Sequence, residues 1–181
     1  MALIQVNFLS EALMRTVPVQ VILPVDKMGV PGSTVREEKP FKTLYLLHGI
    51  FGNYTDWVSG TNIQRWAEER SLAVVMPSGD NMFYVDQKEG HNFYGEYIGR
   101  ELVEMTRRMF PLSRKREDTY IGGLSMGGYG ALRNGLKYSG TFGCIASLSG
   151  AMLIDDIAER TDDTASFIDS RTYAQSVFGN L

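Results

Sequence analysis

A chain of 181 residues is long enough to bury one sizeable core and too short for two ordinary domains, so a single domain over 1–181 is expected. An apolar fraction of 44%, a charged fraction of 22% and an aromatic fraction of 11% match folded globular proteins and exclude disordered or fibrous classes. With 18 Lys plus Arg against 21 Asp plus Glu, the net charge of −3 offers no basic field to phosphate backbones or anionic lipid, so no nucleic-acid partner is expected.

The first elements read as two β-like stretches at 4–9 and 17–23, separated by polar residues, which predicts an antiparallel hairpin. A polar, Gly- and Pro-containing surface connection follows over 26–40. Short apolar runs at 43–47, 72–76, 119–122 and 144–148 then alternate with helical patterns at 63–69, 97–109 and 127–137. That alternation predicts an α/β fold with a mostly parallel sheet flanked by helices and joined by right-handed crossovers. After Gly150 the chain turns acidic and irregular, and 151–181 reads as the start of a cap or excursion. Cys144 sits in an apolar run, which predicts a buried structural thiol and a reducing compartment. The start lacks a basic leader and no apolar run approaches the roughly 18 residues of a membrane helix, so no membrane span and a cytoplasmic location are expected. Assembly into a homo-oligomer stays open.

The strand at 119–122 runs into Gly123-Leu124-Ser125-Met126-Gly127-Gly128 and then a helical pattern. This is a GxSxG motif in strand-turn-helix context, which places a serine hydroxyl on a sharp turn above the strand's carboxyl end. A glycine-rich turn without chemistry is the plain alternative, and a phosphate cradle is poorer because no GxxxxGK occurs. A second segment, Leu46-Leu47-His48-Gly49-Ile50-Phe51-Gly52, leaves an earlier strand for a loop ending Thr55-Asp56-Trp57. In a serine hydrolase this loop supplies one oxyanion amide and the residue after the nucleophile supplies the other. Ile50, Phe51 and Met126 are therefore the candidate donors, with Ser125 as nucleophile. Phe51, Trp57 and Met126 are candidates to narrow the substrate site.

Together with the segment from Ser10 to Pro24, these two motifs resemble the esterase D branch of the α/β-hydrolases, most closely bacterial tributyrin esterases. S-formylglutathione hydrolases, feruloyl and acetylxylan esterases and mycolyltransferases are relatives within it. The resemblance spans Ser10 to Gly150. It implies an α/β-hydrolase fold, a serine carboxylesterase acting on short acyl esters, and an oxyanion hole from the Ile50 and Met126 amides. A small-molecule ester is the implied partner, with no cofactor.

The histidines depart from that pattern. The fold orders its triad as Ser, then Asp or Glu, then His, yet the chain's 2 histidines, His48 and His91, both precede Ser125. His48 belongs to the oxyanion loop and is expected to hydrogen-bond structurally. His91 precedes a helix and is expected at the pocket mouth, in a substrate-binding or cap role. Asp155, Asp156, Asp162 and Asp163 follow the nucleophile but lie in the acidic excursion, so solvent-facing roles are expected, and no metal site. The acid and histidine are thus expected beyond Leu181, with the sheet truncated and its edge exposed. The rivals are an acyltransferase or thioesterase on the same scaffold, and an inactive fragment that keeps the pocket without activating its serine.

Overall fold

The computed structural model describes residues 1–26, 39–152 and 157–179. Most of the expected 26–40 connection, and Asp155 and Asp156, lie outside the described residues.

The first two strands, β1 (Ala2–Ser10) and β2 (Arg15–Leu23), form the expected antiparallel hairpin, paired from Ala2↔Leu23 to Ser10↔Arg15. Then come β3 (Thr43–Leu47), α1 (Asp56–Gly60), α2 (Ile63–Glu69) and β4 (Ala73–Pro77). A small antiparallel pair, β5 (Asp86–Gln87) and β6 (Asn92–Phe93), leads into α3 (Tyr94–Glu96). A π-helical stretch at Tyr97–Glu101 joins α3 to α4 (Leu102–Met109). The remaining elements are β7 (Thr119–Leu124), α5 (Met126–Lys137), β8 (Cys144–Leu148) and α6 (Arg171–Phe178). The helix expected at 97–109 thus begins three residues earlier and carries a π turn. Gly99 lies in that turn, where a Cβ would stand 2.1 Å from the Tyr138 ring.

The main sheet has six strands in the order β1-β2-β4-β3-β7-β8. β3 pairs in parallel with β4 and β7, and β7 with β8, while β2 runs antiparallel to β4. Because side chains alternate across a strand, the sheet sorts its apolar residues into two clusters. Val21, Tyr45, Leu47, Val75 and Ile121 face a core closed by Tyr97, Ile98 and Leu102, by Met126 and Ala131 of α5, and by Val177 of α6. Ile22, Leu46, Val74 and Met76 face the other way and meet Ile63 and Ala67 of α2.

One expectation fails here. Cys144 is exposed, along with Ala146 and Leu148. The register pairs Cys144, Ala146 and Leu148 with Tyr120, Gly122 and Leu124, and Leu44 pairs with Tyr120. All of these therefore point to the second face. Among the described residues that face is covered only around β2, β4 and β3, where α2 packs, so an apolar strand at its far end stays open to solvent.

The segment after Gly150 docks on the body of the molecule. Ser170 caps α6 by accepting from Tyr173 N, Asp162 accepts from Thr172 N at 2.8 Å and Thr172 Oγ1 at 3.0 Å, and Ala174 and Val177 are buried. Asp162 and Asp163 face solvent as expected. No helix among the described residues is long and apolar enough to cross a membrane.

Candidate active site

Parallel strands deliver their carboxyl ends to one edge of a sheet, where open α/β proteins bind ligands. Here β3 and β7 are neighbours with Leu47 opposite Gly123, so the loops leaving them meet. Ser125 stands between β7 and α5 with φ 55 and ψ −117, a conformation a non-glycine residue rarely adopts. Three backbone bonds hold it there. Ser125 N donates to Leu148 O at 2.9 Å, and Ser125 O accepts from Tyr129 N and Ala151 N, both at 3.0 Å.

The motif's two glycines are required by contact. A Cβ at Gly123 would lie 2.3 Å from Gly127 O, and a Cβ at Gly127 would lie 2.4 Å from Leu47 O and 2.5 Å from His48 O. In each case the obstacle is backbone, which cannot swing aside. The same closeness brings the second motif to the serine: a Cβ at Gly49 would be 3.7 Å from Ser125 Cβ.

The amide inventory separates the three candidate donors. Phe51 N already donates to Asn81 Oδ1 at 2.8 Å, so its amide is committed to the loop. Met126 is the first residue of α5, where helix geometry leaves an N–H without an intrahelical partner and the helix dipole adds positive potential. Ile50 lies inside the turn that Gly52 N closes on Gly49 O at 3.2 Å.

His48 takes the structural role expected of it. Its ring is 1% exposed, Nδ1 donates to Gly49 O at 2.6 Å, and Nε2 accepts from Gly79 N at 2.9 Å. The partners fix the neutral tautomer with the proton on Nδ1. Burial lowers its pKa, only partly offset by the bond to Gly49. Tyr84 donates to His48 O at 3.0 Å and stacks edge-on against the ring, completing the support under the loop.

The other sequence-predicted residues lie apart. Trp57 Nε1 donates to Leu47 O at 3.1 Å while its ring packs on the second-face cluster, so it braces β3 from beneath. His91 is exposed with its ring 4.7 Å from Phe93, lining a cavity of about 520 Å³ with Leu9, Glu11 and Ala12 beside the β1–β2 turn. Four strand spacings separate β1 from β7, or about 19 Å at roughly 4.8 Å each. None of the residues lining that cavity belongs to the Ser125 elbow or to the oxyanion loop. Among the described residues there is no cluster of His, Cys, Asp and Glu able to hold a metal ion.

Sequence reasoning missed Asn81 and Tyr173. Tyr173 donates to Asn81 O at 2.5 Å while Asn81 Oδ1 holds the Phe51 amide. The available signal was position: 78–81 follows β4, a parallel strand whose carboxyl end lies at the same edge as Ser125.

Residues 10–176 match the family model named Esterase. The chain belongs to this esterase family. It is 46% identical over all 181 residues to an acetyl esterase of Caldicellulosiruptor saccharolyticus, covering 68% of that protein. Among solved structures it resembles a fluorophosphonate-binding serine hydrolase F of Staphylococcus aureus, substrate bound. The TM-score is 0.81 at 34% identity, covering 99% of this chain and 66% of that one. An S-formylglutathione hydrolase from Staphylococcus aureus gives a TM-score of 0.76 at 34% identity, covering 99% and 69%. The esterase chain thus has the α/β-hydrolase fold and spans about two thirds of the length of these relatives.

Proposed function

We propose that this esterase is a serine carboxylesterase that hydrolyses short-chain acyl esters through an acyl-enzyme on Ser125. The observation that carries the reading is the strained Ser125 elbow, with Gly49 of the oxyanion loop packed against it and Met126 opening a 12-residue helix behind it. Such a turn costs conformational energy and persists only where the surroundings over-determine it. Kinship with an acetyl esterase and with serine hydrolases supports the same chemistry.

In this reading the Ser125 hydroxyl attacks the ester carbonyl, and the oxygen that becomes negative is held by the Ile50 and Met126 amides. Collapse of the tetrahedral intermediate expels the alcohol, and water attacking the acyl-enzyme releases the acid. His48 stays neutral and holds the loop while its two ring nitrogens are occupied. Activating the hydroxyl requires a base, and neither His48 nor His91 is placed to be one. The restriction to short acyl groups follows the resemblance to tributyrin esterases, and in this reading the exposed Phe51 of the loop limits the acyl chain.

The test is kcat/KM for p-nitrophenyl acetate, butyrate, octanoate and palmitate. The expected result is a maximum at acetate or butyrate with a fall beyond. A steady rise through palmitate, or turnover that survives Ser125→Ala, contradicts the proposal.

A further inference from the structure

Residues 49–52 form a four-residue turn in which Gly52 N donates to Gly49 O, and its third residue, Phe51, has φ 66. A turn with positive φ at that position calls for Gly or Asn, and a bulky aromatic there is a genuine outlier. Phe51 also leaves its ring 68% exposed, so burial does not repay the strain.

Two contacts from elsewhere in the chain converge on this residue, and a third links their partners. Asn81 Oδ1 accepts its amide at 2.8 Å. Phe167, itself 52% exposed, sets its ring 5.8 Å from the Phe51 ring and 5.2 Å edge-on from Tyr173. Tyr173 closes the circuit by donating to Asn81 O at 2.5 Å. The segment that carries Phe167 and Tyr173 is fixed in turn by Gln87 Nε2 donating to Val177 O at 3.0 Å and by Phe83 packing against Tyr173 and Phe178. Burial raises the Tyr173 hydroxyl to about 12, so it remains a donor throughout the neutral range.

We propose that Asn81 is a positioning residue of the oxyanion loop, and that the 157–179 segment holds it there through Tyr173 and Phe167. The Phe51 N–H belongs to the peptide plane that begins at Ile50. Anchoring that N–H on Asn81, while Gly52 N closes the turn on Gly49 O, fixes both peptide planes around Ile50 and so the direction of the Ile50 amide beside Ser125. The excursion thereby acts as a buttress for the developing oxyanion's site without touching the reacting atoms. For its catalytic consequence, the inference rests on the esterase reading above.

Amide hydrogen exchange by NMR and steady-state kinetics on p-nitrophenyl acetate, run on the same samples, test it. Asn81→Ala is expected to lower protection of the Phe51 amide at least tenfold. It should cut kcat by about 10- to 100-fold, less than or equal to the loss of a whole oxyanion donor, with KM changed less than threefold. Asn81→Asp, which keeps an acceptor oxygen, should retain the Phe51 protection. Tyr173→Phe removes only the hydroxyl that holds Asn81 and should give an intermediate loss of both readouts, which covers the case of an Asn81→Ala chain that does not fold. Unchanged Phe51 protection, or unchanged kcat in an active enzyme, in the folded Asn81 or Tyr173 variant overturns the proposal. Absence of turnover in the wild type even with added imidazole as external base would count against the esterase reading alone, and the exchange data would then decide the positioning claim.

Discussion

β7 and β8 lie side by side, paired from Tyr120↔Cys144 to Leu124↔Leu148, yet their surroundings are opposite. β7 runs into a turn crowded on every side, where Gly123 and Gly127 leave no room for a single added carbon and Ser125 is held by three backbone bonds. β8, one strand over, shows Cys144, Ala146 and Leu148 to solvent. The strain at Ser125 therefore sits where backbone packs closely on backbone. A strained backbone that cannot relax is what the proposed nucleophile needs, because it keeps the hydroxyl presented. The residue just past the end of β8, Ser149, also has a positive φ, of 46, so the two strands differ in their cover and not in the turn that follows them.

This contrast can be broken by adding one methyl group on each side of it. Gly127→Ala forces a Cβ against the Leu47 and His48 carbonyl oxygens, and overpacking against backbone is expected to cost about 3 kcal/mol or more in urea unfolding. Gly140→Ala, where a Cβ meets nothing within 4 Å, should stay within about 0.5 kcal/mol. Equal costs at the two positions would mean that the elbow is not the rigid region described.

A smaller effect sharpens the comparison through pH. His48 is held neutral under the elbow, with its pKa lowered by burial from 6.5. A base whose folded pKa is depressed binds protons more readily when unfolded, so its contribution to stability is lost as pH falls below about 6.5. Asp86 meets Lys137 at 2.6 Å, Arg133 at 3.5 Å and Glu96 N at 2.9 Å. Burial opposes its ionisation, but these partners outweigh that and bring its pKa below 3.8. Its contribution is present above 3.8 and lost as pH falls through the lower folded value. Urea midpoints should thus decline in two stages on acidification, and His48→Asn should flatten the upper stage while leaving the lower. A midpoint independent of pH between 7 and 5 in the wild type would contradict the placement of His48.

Much of this architecture was legible because it rests on local pattern. The apolar runs at 43–47 and 144–148 and the helical spacing at 63–69 coincide with β3, β8 and α2. The GxSxG context located the elbow because glycines at 123 and 127 are dictated by backbone contact within a few residues. Cys144 was misread because an apolar strand reveals its preference but not which layer covers it. Phe51 was offered as an amide donor, yet its partner Asn81 is 30 residues away. Nothing local announces that pairing, nor the positive φ carried by an aromatic side chain. Trp57 was expected to narrow the substrate site; its contacts are with Leu47 O and the second-face cluster, partners that no local pattern announces.

The central claim is that Ser125 is the nucleophile. The direct test is reaction of the folded protein with a fluorophosphonate, with and without added imidazole as an external base, read by intact mass and peptide mapping. The account predicts a single adduct on Ser125, formed faster with imidazole and absent from Ser125→Ala. No adduct on Ser125 under either condition, or equal labelling of the Ser125→Ala variant, would contradict it.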